Sequence, residues 1–328
     1  MIIAVESLTK RFEQKHSEDF TAVDAINLAI RAGERVAFIG PNGAGKSTTL
    51  KMLTGILYPT SGTASVAGHI PWQERQRLAY DIGVVFGQRS QLWYQLPVRD
   101  SYDLLGKIYD LDEVTYRARL GRVIEVLRIG HLIDQPVKSL SLGQRMRCEI
   151  AASLLHRPKV LFLDEPTIGL DVTAKALLRE HLKHLAEAEE TTIMLTSHDT
   201  GDIEEICDRV ILINHGRILL DRPLAELRAD FLTHKQITLV TDEERPERLF
   251  AQAEESGTGN SRTGVEGAEI VSHDRHRVTL SVDQNRHSVN DVVAEALAKL
   301  SVRDLAIENA PLDAIIRDLY GARKGVGS

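Results

Sequence analysis

Residues 40–47 read Gly-Pro-Asn-Gly-Ala-Gly-Lys-Ser and fit the pattern G-x-x-x-x-G-K-[ST]. Glycines let the backbone N–H groups of such a loop turn inward around phosphate oxygens. A helix that follows adds the positive end of its dipole, and Lys46 would reach the β- and γ-phosphates. The pattern therefore predicts a nucleotide site. We assign its contacts to Gly40, Pro41, Asn42, Gly43, Ala44, Gly45, Lys46, Ser47 and Thr48.

An acidic pair, Asp164 and Glu165, directly follows the apolar run at 160–163. A strand that ends in two carboxylates delivers them to the carboxyl edge of a sheet, where the phosphate loop also opens. There Asp164 and the Ser47 hydroxyl would hold Mg²⁺, and Glu165 could orient and deprotonate an attacking water. A strand that merely ends in solvated acids is the alternative, but the phosphate loop makes it the weaker one.

These motifs lie in an alternation of strands and helices over residues 1 to about 220. Apolar runs predict strands at 35–39, 82–86, 160–163 and 192–196. Helical spacing predicts a helix at 48–56 and mostly helix over 104–129, and a hairpin turn is expected at 214–216. Because the strands are continuously apolar, we expect a sheet that is covered on both faces.

The tail after a break near 228–234 has a different pattern. Strands are predicted at 236–240, over a hairpin at 269–282 that turns at 273–276, and at 305–308. Helices are predicted at 288–300 and 311–320, and a loop at 254–267. This order favours a small α+β domain of the ferredoxin-like type. We therefore place one domain at 1–228, with a helical part at about 97–157, and a second at 229–328.

Composition excludes several classes of protein. The 328 residues carry a net charge of −7 and a pI of about 6.0, which argues against nucleic acid as a partner. Cys148 and Cys207 are the two cysteines, so neither a disulfide framework nor a cysteine-rich zinc site is expected, and a reducing compartment fits. No run approaches the ~20 apolar residues of a membrane span, so any action at a membrane would require a partner.

Three further motifs make the pattern specific. Gln88 follows the strand at 82–86, Leu-Ser-Leu-Gly-Gln-Arg occupies 140–145, and Thr-Ser-His occupies 196–198. With the phosphate loop and the segment from Glu165 to Asp171, they resemble the ATP-binding subunit of an ATP-binding cassette (ABC) transporter over residues 2–225. The resemblance implies an α/β P-loop cassette with a mixed sheet core, an antiparallel β subdomain and an α-helical subdomain.

The resemblance also implies that two subunits face head to tail, with each ATP between one phosphate loop and the partner's signature segment. Ser141, Gly143 and Gln144 would complete the partner's site, and Asp171 would touch the opposite subunit. Since all motifs lie in one chain, a homodimer is favoured. Ser141 is also a plausible helix N-cap with Gln144 in a capping box, which is the structural alternative.

Roles for the remaining residues follow from the same resemblance. Glu165 would activate water, while Lys46 and His198 would balance phosphate charge. Gln88 would join Ser47 and Asp164 at Mg²⁺. Phe12 is the first candidate for stacking on adenine and Phe20 its competitor, with an ordinary core phenylalanine as the alternative.

Leu142 departs from the family, which more commonly has glycine there. Its isobutyl group is expected beside the phosphate contact. If it distorts the cage, Leu142→Gly should raise the ATPase rate or the stability of the dimer.

Trp93, Tyr94 and Tyr102 follow Gln88 closely and suit a socket for a short helix of a partner, or the core of the helical subdomain. The chain as a whole resembles ATPases of ABC-2-type exporters, including the daunorubicin-resistance group. This implies a separate transmembrane permease subunit and a peripheral position on the cytoplasmic face of the inner membrane. An importer ATPase, a soluble ATPase acting on ribosomes or DNA, and a regulatory role for the tail remain alternatives.

Overall fold

The computed structural model describes residues 1–13, 19–87, 90–189, 191–231, 234–244, 268–284 and 286–309. The chain divides into two compact units, Met1–Leu224 and Ala225–Ser328. The helix predicted at 311–320 and the loop predicted at 254–267 lie outside the described residues. Within the described ranges, no helix is long and apolar enough to cross a membrane.

The first unit contains nine strands, seven complete α-helices and one short 3₁₀ helix, Val137–Ser139, among its described residues. The strands are β1 (Ile3–Phe12), β2 (Phe20–Ile30), β3 (Arg35–Ile39), β4 (Ser61–Val66), β5 (Ile82–Phe86), β6 (Val160–Asp164), β7 (Thr192–Thr196), β8 (Arg209–Asn214) and β9 (Arg217–Pro223). The helices are α1 (Lys46–Leu53), α2 (Arg75–Asp81), α3 (Val98–Ile108), α4 (Glu113–Val126), α5 (Leu142–Leu154), α6 (Val172–Glu189) and α7 (Thr200–Ile206).

A six-stranded sheet in the order β5-β6-β7-β3-β8-β9 carries the motifs. All neighbouring strands are parallel except β9, which forms an antiparallel hairpin with β8. Phe38, Phe162 and Met194 from its central strands are fully buried. Continuous apolar strands are thus covered on both faces, as predicted.

A second sheet of this unit is antiparallel, with the order β2-β1-β4. Its strands β1 and β2 pair along their length and bring Phe12 directly opposite Phe20. The helical part contains α3, α4 and α5. The helix expected over 104–129 is interrupted after Ile108, where Asp110 has a φ of +50°, and Asp112 then caps α4 by accepting from two backbone amides. The mixed and antiparallel sheets with a helical part confirm the predicted P-loop cassette.

Helix α8 (Leu224–Phe231) leads into the second unit. Its other elements are β10 (His234–Thr241), β11 (Ala268–Asp274), β12 (Arg277–Asp283), α9 (Val289–Lys299) and β13 (Val302–Asn309). The sheet order is β11-β12-β10-β13, and every neighbouring pair is antiparallel. Strands β10 and β11 run in the same direction, and β12 lies between them and is antiparallel to both. This is the strand order of the ferredoxin-like arrangement. Ile237, Leu280 and Val292 pack in its apolar core.

Candidate active site

The phosphate loop connects β3 to α1 with glycines where the backbone needs them. Gly43 and Gly45 have φ values of +80° and +108°. A Cβ on Gly45 would stand 2.5 Å from the carbonyl oxygen of Ala22, and one on Gly40 would collide with the carbonyl oxygen of Ile213. The loop therefore packs tightly against β2 and β8, and it opens at the N-terminus of α1, which favours anions.

Lys46 is buried at the start of α1. Its Nζ donates to the carbonyl oxygens of Gly40, at 2.6 Å, and Pro41, at 3.2 Å, and lies 3.3 Å from Nε2 of His198. Burial lowers the pKa of Lys46, while the carboxylates of Glu165 and Asp164 oppose that shift. A partly desolvated cation in a glycine-rich loop is suited to binding phosphate oxygens.

Asp164 ends β6 beside Thr196, the last residue of the neighbouring strand β7. Its Oδ1 accepts from the Thr196 hydroxyl at 2.6 Å and lies 3.4 Å from Oγ of Ser47. The two predicted metal ligands are therefore adjacent. The role of Thr196 was missed by sequence reasoning, although its place at the end of a strand next to the acidic pair was the available signal.

Glu165 follows with an unusual backbone. Its φ is +54°, which a non-glycine residue adopts only when its surroundings require it. Its amide is held by the carbonyl and the hydroxyl of Thr196, both at 3.1 Å. On the other side, Gly87 donates its amide to the Asp164 carbonyl at 2.9 Å, and a Cβ on Gly87 would stand 2.5 Å from the Glu165 carbonyl. The backbone of the acidic pair is thus clamped from both neighbouring strands.

Glu165 and His198 face each other, with Oε1 and Nε2 3.2 Å apart. Burial raises the pKa of Glu165 above the usual glutamate value, and the charges of His198 and Lys46 oppose the rise. A carboxylate with a raised pKa beside a histidine is a suitable general base. The structure therefore brings together Lys46, Ser47, Asp164, Glu165 and His198, which the sequence places up to 152 positions apart.

Ser141 caps helix α5. Its Oγ accepts from the Gln144 amide at 3.3 Å, and Gln144 Oε1 accepts from the Ser141 amide at 2.9 Å, which completes a capping box. The capping of α5 by Ser141, which is the structural alternative from the sequence, is therefore present. It is compatible with binding an anion, because the helix N-terminus still points its dipole outward.

The side chain of Leu142 packs against another segment of the same chain. A Cβ placed on Gly169 would lie 3.0 Å from Cδ2 of Leu142, so the isobutyl group packs on the segment that leads to Asp171. Gly143 fits closely as well, since a Cβ there would be 2.9 Å from Cβ of Ala174. Asp171 is exposed and caps α6 through the Ala174 amide at 2.8 Å.

Phe12 and Phe20 are 38% and 49% exposed at the same end of the β1–β2 hairpin, so neither belongs to the core. Trp93 and Tyr94 are also exposed. Tyr102 is fully buried and donates its hydroxyl to the Cys148 carbonyl at 3.0 Å, so of the two alternatives the core of the helical subdomain is correct for this residue. Gln88 lies outside the described residues.

Comparison with known proteins shows the family of the chain. The ABC transporter family model matches residues 23–168. The chain is 37% identical to the Nod factor export ATP-binding protein I of Ralstonia nicotianae over 66% of this chain and 65% of that protein, just under two thirds of its length. It is 30% identical to the daunorubicin/doxorubicin resistance ATP-binding protein of Streptomyces peucetius, over 92% of this chain and 88% of that one.

Solved structures give the same result. The cbiO1 protein of Clostridium perfringens, part of the ABC transporter complex cbiONQ, is 32% identical with a TM-score of 0.62 over 70% of this chain and 91% of its own. An ATP-binding cassette solved as a dimer with ADP and Pi is 26% identical, with a TM-score of 0.61 over 68% of this chain and 98% of its own. The chain therefore belongs to the ATP-binding proteins of ABC transporters, and it binds and hydrolyses ATP.

Proposed function

We propose that this chain powers an exporter of the ABC-2 type. This proposal is supported by how much of the chain each relative matches. The daunorubicin/doxorubicin resistance protein aligns over 92% of the chain, whereas the two solved cassettes cover 68% and 70% of it. The likeness thus includes residues of the second unit. We place the cassette at 1–228 and an accessory or dimerisation domain at 229–328, a boundary that α8 spans.

In the proposed mechanism, Glu165 accepts a proton from the water that attacks the γ-phosphate. Its raised pKa and its contact with His198 favour this role. Lys46 neutralises phosphate charge. Nε2 of His198, which lies 3.2 Å from Oε1 of Glu165, donates its hydrogen bond to the γ-phosphate and keeps Glu165 in position by contact. The loop amides and the N-terminus of α1 bind the remaining phosphate oxygens. Phe12, with Phe20 opposite it, offers an aromatic face to adenine.

The donor set at the loop fits Mg²⁺. A hydroxyl and a carboxylate oxygen are hard ligands of the kind this ion takes from proteins. Ser47 and Asp164 would hold it, and Gln88 would join them. When bound, the ion would neutralise charge on the β- and γ-phosphates.

A second copy of the chain would complete each site. Ser141, Gly143 and Gln144 would present the N-terminus of α5 to the partner's γ-phosphate, and Asp171 would contact the facing subunit. Around Asp171, Ile168 and Val172 are exposed apolar residues, as expected of a surface that another subunit covers.

A membrane permease is the proposed partner of the helical part. Trp93 and Tyr94 are 42% and 53% exposed and lie in the segment that follows Gln88. Nearby in sequence, Leu96, Leu104 and Ile108 are exposed as well. Aromatic and apolar residues of this kind are typical of the centre of an interface. Docking there would hold the chain at the cytoplasmic face of the membrane as a peripheral subunit.

The direction of transport can be tested in the native cells with daunorubicin as a fluorescent probe. We propose daunorubicin as a test cargo, because a relative that aligns over 92% of the chain is a daunorubicin/doxorubicin resistance ATP-binding protein. Cells that carry Glu165→Gln in place of the native chain should retain more daunorubicin and tolerate less of it, and equal retention would contradict this cargo. Cells that carry Tyr58→Phe, a change at an exposed residue outside the site, provide the matched control. Lower uptake in the Glu165→Gln cells would instead favour an importer.

A further inference from the structure

Asp202, in α7, is a fully buried carboxylate that the proposed mechanism does not use. Its Oδ2 accepts from the hydroxyls of Thr167 and Ser197, both at 2.5 Å. Thr167 lies two residues after Glu165, and Ser197 immediately precedes His198. One carboxylate oxygen therefore connects the chain segments that carry the two halves of the Glu165–His198 pair.

The other oxygen of Asp202 is held by Arg179 of α6. Arg179 Nε donates to Oδ1 at 2.7 Å, while the same guanidinium reaches Asp199 at 2.8 Å and Glu205 at 3.2 Å. Lys175 donates to the second oxygen of Asp199 at 2.6 Å. Burial would raise the pKa of Asp199, but the hydrogen bond from Lys175 and the charge of Arg179 lower it.

The packing shows that the guanidinium is confined. A Cβ on Gly201 would stand 2.6 Å from its Nη1 atom, so no larger residue fits there unless Arg179 moves. A planar guanidinium that donates to three carboxylates in fixed directions gives geometric specificity that an ammonium does not. Because a buried carboxylate is costly unless fully paired, this arrangement is expected to have one geometry.

We infer that Asp202, oriented by Arg179, is a positioning residue that sets the distance between Glu165 and His198. The inference rests on the proposed roles of that pair. Its physical basis is that Oδ2 accepts from both segments at once, so a shift of either segment breaks a hydrogen bond in a site closed to water. Misplacement of catalytic groups by about 1 Å can cost about 100-fold in rate.

The test uses two variants that each remove one hydroxyl, Ser197→Ala and Thr167→Val, and measures kcat and the Kd for ATP of the purified chain. Each should lower kcat about 10-fold or more while the Kd changes less than about twofold. Ser153→Ala is the matched control, because Ser153 is equally buried and donates to the Ile150 carbonyl at 2.8 Å, within one helix. It should keep the native kcat.

Asp202→Asn adds a double-mutant cycle with Glu165→Gln. If Asp202 acts through the pair, Asp202→Asn should lower kcat in the native chain but have little further effect on the residual rate of Glu165→Gln. Native kcat in both Ser197→Ala and Thr167→Val, or fully additive losses in the cycle, would overturn the inference. A Glu165→Gln variant that itself keeps the native rate would instead refute the proposed role of Glu165, which separates the two failures.

Discussion

Replacing Leu142 with glycine should lower the free energy of unfolding of the chain and should not raise its rate of ATP hydrolysis. The more common family residue at this position is glycine, and from sequence alone the isobutyl group of Leu142 is expected beside the phosphate contact. In the structure its Cδ2 packs against Gly169 of the same chain. The side chain thus supports the segment that runs to Asp171, and removing it should loosen that segment.

The size of the effect follows from the burial of Leu142, which is intermediate. Removing four side-chain carbons that are about three-quarters buried costs about 2.4 kcal/mol, at roughly 0.8 kcal/mol per fully buried carbon. Glycine in the first turn of α5 adds about 0.5 kcal/mol of backbone entropy. A loss of about 3 kcal/mol in the free energy of unfolding lowers Tm by about 6–12 °C for a unit of this size.

The assay is thermal unfolding of the nucleotide-free chain, with the ATPase rate measured on the same preparations. Leu142→Ala is the matched control, because it keeps the Cβ and the helical propensity and should lose only about 2 kcal/mol. An unchanged Tm together with a faster ATPase in Leu142→Gly would refute this reasoning and show that the leucine obstructs the phosphate cage.

The remaining predictions concern the phosphate loop and the acidic pair. Glu165→Gln should bind ATP but hydrolyse it about 10²–10⁴-fold more slowly in a steady-state phosphate-release assay, and near-native turnover would contradict its role. Gly45→Ala should abolish ATP binding in a fluorescent-nucleotide titration, since its φ is +108° and a Cβ would stand 2.5 Å from the Ala22 carbonyl. Gly43→Ala, with open space around the new Cβ among the described residues, should lose only about 1–2 kcal/mol of stability, as denaturant unfolding would show. Because burial raises the pKa of Glu165, the folded state holds its proton to higher pH than the unfolded chain does. The native chain should therefore lose stability relative to Glu165→Gln as pH rises from below the usual glutamate pKa through the raised one, and a constant Tm difference across that range would contradict the shift.

The buried strands were the most predictable part of the fold. Those at 35–39, 82–86 and 192–196 were predicted to the residue, because a strand covered on both faces leaves a continuous apolar run with polar ends. The β1–β2 hairpin has no such run and mixes exposed with buried residues, so it received no individual prediction. The tail strand expected at 305–308 begins earlier, at Val302, since Arg303 and Asp304 are exposed and hide the pattern.

Residue types and order were enough to find Lys46, Asp164, Glu165 and His198, because local motifs carry them. What the sequence did not reveal depends on contacts between distant segments. The direction of the Leu142 side chain, the burial of Tyr102 and the links of Asp202 to Thr167 and Ser197 follow from how helices and strands pack. No spacing in the sequence encodes those contacts.

We propose that this chain is an ATPase that works on a membrane permease. To test this, the tagged Glu165→Gln chain is trapped with ATP and purified from native membranes in mild detergent, and mass spectrometry identifies what co-purifies. Trp93→Ala in the same background is the matched comparison, since it removes an exposed aromatic side chain of the proposed docking segment. We expect a multi-span membrane protein to co-purify with the Glu165→Gln chain, and much less of it with the chain that also carries Trp93→Ala. Recovery of ribosomal or DNA-repair proteins with no membrane protein would contradict it.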